Sequence, residues 1–222
     1  MRNLESFLRD SQLMGKEILE WAIFEKYPDL RKLFDNDRLI DIKAIKNFIS
    51  SKYQEENKII RSNLDIYKIN WQKVEKHFLV LTDKIIGSSY WPKGKYIAYP
   101  SIWGMFPRFL DDKTFQFPYQ CKTEKYVNVI IAHEMLHFIF FNYFFQKYPK
   151  YKNNKYDSLV WNVSEIFNVV IQNSPEWIKF FKLRSISYPA HEKIINKLNK
   201  KYHKKDISDV DMLIRDVIKE LQ

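Results

Sequence analysis

The sequence is poor in cysteine and glycine, and each scarcity excludes a kind of functional site. Its 222 residues include one cysteine, Cys121, so neither an internal disulfide nor a zinc site built from several cysteines can form. The four glycines, Gly15, Gly87, Gly94 and Gly104, do not assemble into the glycine-rich loops that bind dinucleotides or nucleotide phosphates. A zinc site in this chain would therefore take its ligands from histidine and carboxylate side chains.

Long apolar runs of the kind found in signal peptides and membrane-spanning helices are also rare in the sequence. Charged residues interrupt the first 22 positions every few residues, so we expect no secretory signal and a cytoplasmic protein. One apolar run, residues 127–145, is long enough to span a bilayer, but it carries His133, Glu134 and His137 in its middle. We therefore predict a buried helix of a protein without a membrane span.

Apolar and basic residues are abundant. Hydrophobic residues make up 45% of the chain and aromatic residues 17%, which is enough for a large core. The net charge is +10, from 37 basic and 27 acidic residues. Since 29 of the basic residues are lysines and only 8 are arginines, this charge favours a solvated surface over a nucleic-acid site.

The first part of the chain has helical spacing of its apolar residues. Longer helices are predicted at residues 41–60 and 62–76, after a break at Pro28. We expect residues 1–76 to form a helical N-terminal region. Its role as a scaffold, a substrate-capturing domain or an inhibitory segment stays open.

The pattern changes after residue 76, where short β-branched and aromatic runs begin. Strands are predicted at residues 77–83, 95–100 and 114–119, the last at a sheet edge because it contains Pro118. Helices are then predicted from Thr123 to Pro149, from Asp157 or Ser158 to Asn173, and twice between Pro189 and Gln222. This order predicts an α+β fold with a small mixed sheet, and residues 77–222 are the expected second domain.

An HExxH motif lies inside the apolar run. His133 and His137 are four residues apart, so their imidazoles leave the same face of a helix and can bind one zinc ion. Glu134, about 100° round the helix, is placed to reach a water on that ion. Both flanks are apolar, and burying these polar groups is costly unless a metal and its water satisfy them.

A third ligand is needed for a hydrolytic zinc site, and one helix offers an isolated acid. Glu165 is the single acidic residue between Ser158 and Pro175. It shares a helix face with Trp161, Asn168 and Gln172. A lone carboxylate in an otherwise uncharged helix requires a partner, and the two histidines would provide one through the metal.

These motifs, AHEMLH at 132–137 and WNVSE at 161–165, resemble those of the gluzincins, a group of HEXXH zinc metallopeptidases with a zincin-like fold. The resemblance implies one zinc ion held by His133, His137 and Glu165, with an active-site helix followed by a glutamate helix. It also implies Glu134 as catalytic base.

The resemblance further implies a peptide or protein substrate bound as an added strand at residues 114–119, or alternatively at 96–100. Tyr188 and His191 are of the residue types that stabilise the transition state in such enzymes. The NExxSD pattern of the thermolysin type is absent, so Asn168 is the predicted partner behind the metal ligands.

Three alternatives stay open at this point. The chain could be a basic protein that binds nucleic acid or an acidic partner and holds a non-catalytic zinc ion. It could be a cytosolic peptidase that cleaves phage-type repressors, although these enzymes carry an ExxA context that the EIFNV segment after Ser164 lacks. It could also be an inactive zinc scaffold.

Overall fold

The computed structural model describes residues 19–35, 38–39, 41–154, 157–202, 207 and 209–222. Residues 1–18 of the predicted helical N-terminal region lie outside this part of the chain. The α-helices of the described residues are α1 (Ile42–Glu55), α2 (Asn57–Ile86), α3 (Glu124–Lys147), α4 (Ser158–Gln172), α5 (Pro175–Phe181), α6 (Glu192–Tyr202) and α7 (Val210–Leu221).

The strands are short and fewer residues take part in them than in the helices. β1 (Phe34–Asp35) and β2 (Arg38–Leu39) form an antiparallel pair. β3 (Ile97–Ser101), β4 (Arg108–Phe109) and β5 (Thr114–Pro118) form a sheet in the order β3-β5-β4, parallel on one side of β5 and antiparallel on the other. The prediction of an α+β fold with a small mixed sheet is thereby confirmed.

The prediction that residues 114–119 form an edge strand is wrong. β5 is the central strand of the three, and its Phe115 and Phe117 are almost fully buried. Pro118 is tolerated because it is the last residue of β5, where only the end of the ladder loses a donor. The proline that does mark an end strand of the described sheet is Pro100, within β3.

The predicted strand at residues 77–83 is also wrong, because this segment continues helix α2. Phe78, Leu81 and Thr82 are buried, whereas Val80 is 56% exposed, a spacing of three and four rather than two. The β-branched residues suggested a strand, but the periodicity of burial decides for a helix. Gly87, with a φ of 99°, ends it.

Contacts divide the chain into two compact units, one within Met1–Lys68 and Tyr96–Glu124, the other within Ile69–Lys95 and Lys125–Gln222. The first contains the sheet and an apolar core that includes Ile23 and Trp103. The second contains most of α3 and all later helices. The expected domains 1–76 and 77–222 stay a prediction.

Helix α3 agrees closely with the predicted helix and forms the centre of the second unit. Among the described helices it is long and apolar enough to cross a membrane by length and composition, but 83% of its most apolar window is buried inside the protein. Phe140 of α3 packs on Phe167 of α4, with ring centroids 4.9 Å apart. This contact holds together the two helices that carry the candidate ligands.

Candidate metal centre

Both histidines of the HExxH motif lie in the middle turns of helix α3. His137 is fully buried and the His133 side chain is 15% exposed. The four-residue spacing brings their Nε2 atoms to 3.2 Å from each other. His133 is therefore the histidine through which the pair reaches solvent.

Helix α4 supplies the carboxylate. Its N-terminus is capped by Asp157, whose side chain accepts a hydrogen bond from the Leu159 amide at 2.7 Å. Two turns later Glu165, 4% exposed, reaches the histidines of α3. Its Oε2 lies 3.0 Å from His133 Nε2 and its Oε1 lies 3.4 Å from His137 Nε2.

His133, His137 and Glu165 thus form a group that could hold a metal ion. With one ligand atom taken from each residue, all three atoms lie within 4.8 Å of one another. Two imidazole nitrogens and a carboxylate are ligands that transition metals accept. The sequence predicted these three residues as one cluster, and the structure brings them together.

Two amide side chains of α4 contact the α3 helix at the same place. Gln172, 3% exposed, donates from its Nε2 to the Val129 carbonyl at 2.9 Å, and its Oε1 lies 2.9 Å from His133 Nδ1. Asn168 donates from Nδ2 to the His133 carbonyl at 3.2 Å. Glu165, Asn168 and Gln172 therefore meet His133 at three different atoms. Asn168 contacts the backbone of a candidate ligand, and its predicted role as a partner of the metal ligands stays a prediction.

The electrostatic environment of His133 favours positive charge. Burial alone would lower the pKa of its imidazole, but the hydrogen bond and charge of Glu165 more than offset this, helped by Glu134 and Gln172. The pKa is raised above the ordinary value of 6.5. The same negative potential would attract a metal cation to the same atoms.

Glu134 lies beside this cluster and is itself buried, at 6% exposure. It follows His133 directly in α3, and its charge contributes to the raised pKa of that histidine. The role of Glu134 as a general base stays a prediction.

The two predicted transition-state donors lie together at the other end of α4. The rings of Tyr188 and His191 have centroids 5.2 Å and 5.7 Å from that of Trp161. His191 is buried, and its Nε2 makes a short hydrogen bond with Asn162 Oδ1. Asn162 donates from Nδ2 to the Ser158 carbonyl at 2.8 Å, so its oxygen is the atom that accepts from His191.

The pKa of His191 moves in the opposite direction to that of His133. Burial lowers it below 6.5, and the charge of Glu165 opposes that shift only in part. Tyr188 and His191 are therefore brought near one another and next to a turn of the glutamate helix, with the histidine neutral. Their part in a reaction stays a prediction.

Gln172 and Asn162 are the site residues to which sequence reasoning assigned no role. The available signal for Gln172 was its position seven residues after Glu165, two turns along the same helix face, within a run of apolar residues. For Asn162 the neighbouring Trp161 was noted, but a single amide near a helix start has many uses. No protein-family model, curated protein or solved structure matches this chain, so its function is inferred from the site itself.

Proposed function

We propose that the chain is a zinc-dependent metallopeptidase of the gluzincin type, with a zincin-like second domain. The observation that carries this proposal is the convergence of His133, His137 and Glu165, with a fourth polar residue, Glu134, buried beside them. The HExxH spacing alone would support zinc, and the third ligand on a separate helix supports the gluzincin type.

The ligand set fits zinc in number and kind, because catalytic zinc sites use three protein ligands drawn from histidine, carboxylate and thiolate side chains. The three residues are also close together. The two Nε2 atoms are 3.2 Å apart, and each lies near a different oxygen of Glu165, at 3.0 Å from His133 to Oε2 and 3.4 Å from His137 to Oε1. Three protein ligands would leave a fourth position for water, as catalytic zinc sites do.

The residues around the ligands supply the remaining chemistry. Zinc, when bound, acidifies a water molecule and polarises the scissile carbonyl. Glu134 would accept the proton of the attacking water and return it to the leaving amine. Tyr188 or His191 would donate a hydrogen bond to the developing oxyanion.

The proposed substrate is a peptide or protein that binds as an added strand. Because β5 is paired on both sides, the candidate strand for this mode is β3, which is at an end of the described sheet. A basic binding protein with a non-catalytic zinc ion is the competing possibility.

The test combines metal analysis with the Glu134→Gln variant. We expect the purified protein to bind one zinc ion, and Glu134→Gln to bind it equally while peptide hydrolysis falls about 10²–10⁴-fold, as for loss of a general base. Glu192→Gln is a control on an exposed carboxylate of α6. Absence of stoichiometric zinc, or hydrolysis unchanged in Glu134→Gln, would contradict the peptidase. Zinc without hydrolysis of any peptide in either protein would favour the binding protein.

A further inference from the structure

The hydrogen bond between Gln172 and His133 requires a proton on one particular nitrogen of the imidazole. The Gln172 amide is oriented by its own donor, because its Nε2 group points to the Val129 carbonyl at 2.9 Å. Its Oε1 is therefore the atom that faces His133 Nδ1 at 2.9 Å. An amide oxygen only accepts, so Nδ1 must donate and must carry a proton.

The other nitrogen of the same ring faces a competing acceptor. His133 Nε2 lies 3.0 Å from Glu165 Oε2, and in the metal-free protein this carboxylate would favour a proton on Nε2. A neutral imidazole with its proton on Nε2 has no lone pair directed at the candidate metal centre. Glu165 and Gln172 thus favour opposite tautomers of one histidine.

We propose that Gln172 is a positioning residue that keeps the proton of His133 on Nδ1 and so directs the Nε2 lone pair into the metal centre. The inference rests on the proposed zinc site and deepens it. The buried amide acts from the glutamate helix, so it also fixes the relative placement of α3 and α4 at the ligands. Without the Gln172 acceptor, His133 is free to carry its proton on Nε2 and to donate a hydrogen bond from there to Glu165. Zinc binding must then displace that proton.

Two substitutions separate this role from simple packing. Gln172→Met keeps the length of the side chain and removes both hydrogen-bonding groups. Gln172→Glu keeps an acceptor for Nδ1. Gln116→Met changes a glutamine that is also buried, at 6% exposure, but belongs to β5 of the other unit, and serves as the control.

The first measurement is zinc affinity, by competition with a chromogenic chelator. We expect Gln172→Met to weaken zinc binding about 10–100-fold, the usual effect of losing a partner behind a ligand. Gln172→Glu should retain most of the parent affinity and Gln116→Met all of it. Equal zinc affinity in Gln172→Met and the parent would overturn the proposal.

The second measurement needs no metal and keeps the proposal separate from the peptidase function. At a pH high enough for the His133 imidazole to be neutral, its ¹⁵N shifts in the metal-free parent should show the proton on Nδ1, and in Gln172→Met a shift of the proton towards Nε2. A neutral His133 that carries its proton on Nε2 in the parent would overturn the role of Gln172 even if Gln172→Met fails to fold. If the parent binds no zinc while His133 carries its proton on Nδ1, the zinc site fails and the tautomer assignment survives.

Discussion

Helix α4 contacts two histidines from other segments, one near each of its ends. Both histidines meet an amide side chain of α4, but their pKa values shift in opposite directions. Near its C-terminal end the imidazole of His133 lies between the Glu165 carboxylate and the Gln172 amide oxygen. Near its N-terminal end His191 lies among aromatic rings and meets the Asn162 oxygen. In the first environment an amide oxygen accepts from Nδ1 and Nε2 faces the other two candidate ligands, whereas in the second an amide oxygen accepts from Nε2.

The difference in charge follows from these partners. Both histidines lose solvent, which by itself lowers the pKa of an imidazole. At His133 the nearby carboxylates reverse this effect, while at His191 they do not. One helix therefore lies beside a negative pocket suited to a cation and, near its other end, beside a neutral imidazole whose single N–H donates to Asn162.

The largest effect should come from removing the carboxylate that distinguishes the two environments. We expect Glu165→Ala to lower zinc affinity by more than about 100-fold, because it removes a ligand rather than a partner behind one. The side chain of Glu176 on α5 is 44% exposed and pairs with Lys84, so Glu176→Ala is the matched control. Metal content after dialysis, with circular dichroism to confirm the fold, is the measurement. Zinc retained by Glu165→Ala would assign the third ligand elsewhere.

A smaller effect is expected at the second environment, where metal binding should not change. Because His191 donates its Nε2 proton to Asn162, we expect Tyr188 to be the main donor to the oxyanion. Tyr188→Phe should then reduce kcat about 10²–10³-fold with zinc content unchanged. His191→Phe, which keeps a ring against Trp161, should reduce kcat less. The reverse order of the two variants would make His191 the donor.

The sequence predicts features that depend on spacing within one helix, but not those that depend on contacts between residues far apart in the chain. The pairing of His133 with His137 depends on helical spacing alone, and Glu165 was marked by its isolation on an otherwise uncharged helix. The orientation of the Gln172 amide depends on a carbonyl 43 positions away, which no spacing rule contains.

The same reasoning accounts for the errors in the strands. Strand order is a non-local property, so Pro118 could not reveal that β5 would be paired on both sides. The segment 77–83 shows a local conflict, in which β-branched composition suggested a strand and the three-and-four spacing of buried residues decided for α2. Composition was the weaker of the two signals because strand preference depends on packing against neighbouring strands.

The smallest effect should appear in the pH dependence of stability, and the two histidines should give opposite slopes. The folded-state pKa of His191 is below 6.5, so at pH values just under 6.5 the unfolded chain binds more protons than the folded one. Stability contributed by neutral His191 is then lost as the pH falls through this window. In metal-free protein the raised pKa of His133 acts oppositely, because its contribution is complete below 6.5 and is lost as the pH rises through the folded-state value.

Denaturant unfolding of the metal-free protein, with a chelator present, measures both contributions at a series of pH values. We expect the free energy of unfolding of His191→Phe to fall less steeply than that of the parent on acidification below pH 6.5. Because His133 is present in both proteins, its contribution to the pH dependence should cancel when the two curves are subtracted. Parallel curves below pH 6.5 would show that His191 titrates alike in the folded and unfolded chains. The pKa of His191 would then not be lowered by folding, and the two histidines beside α4 would not differ in the way proposed.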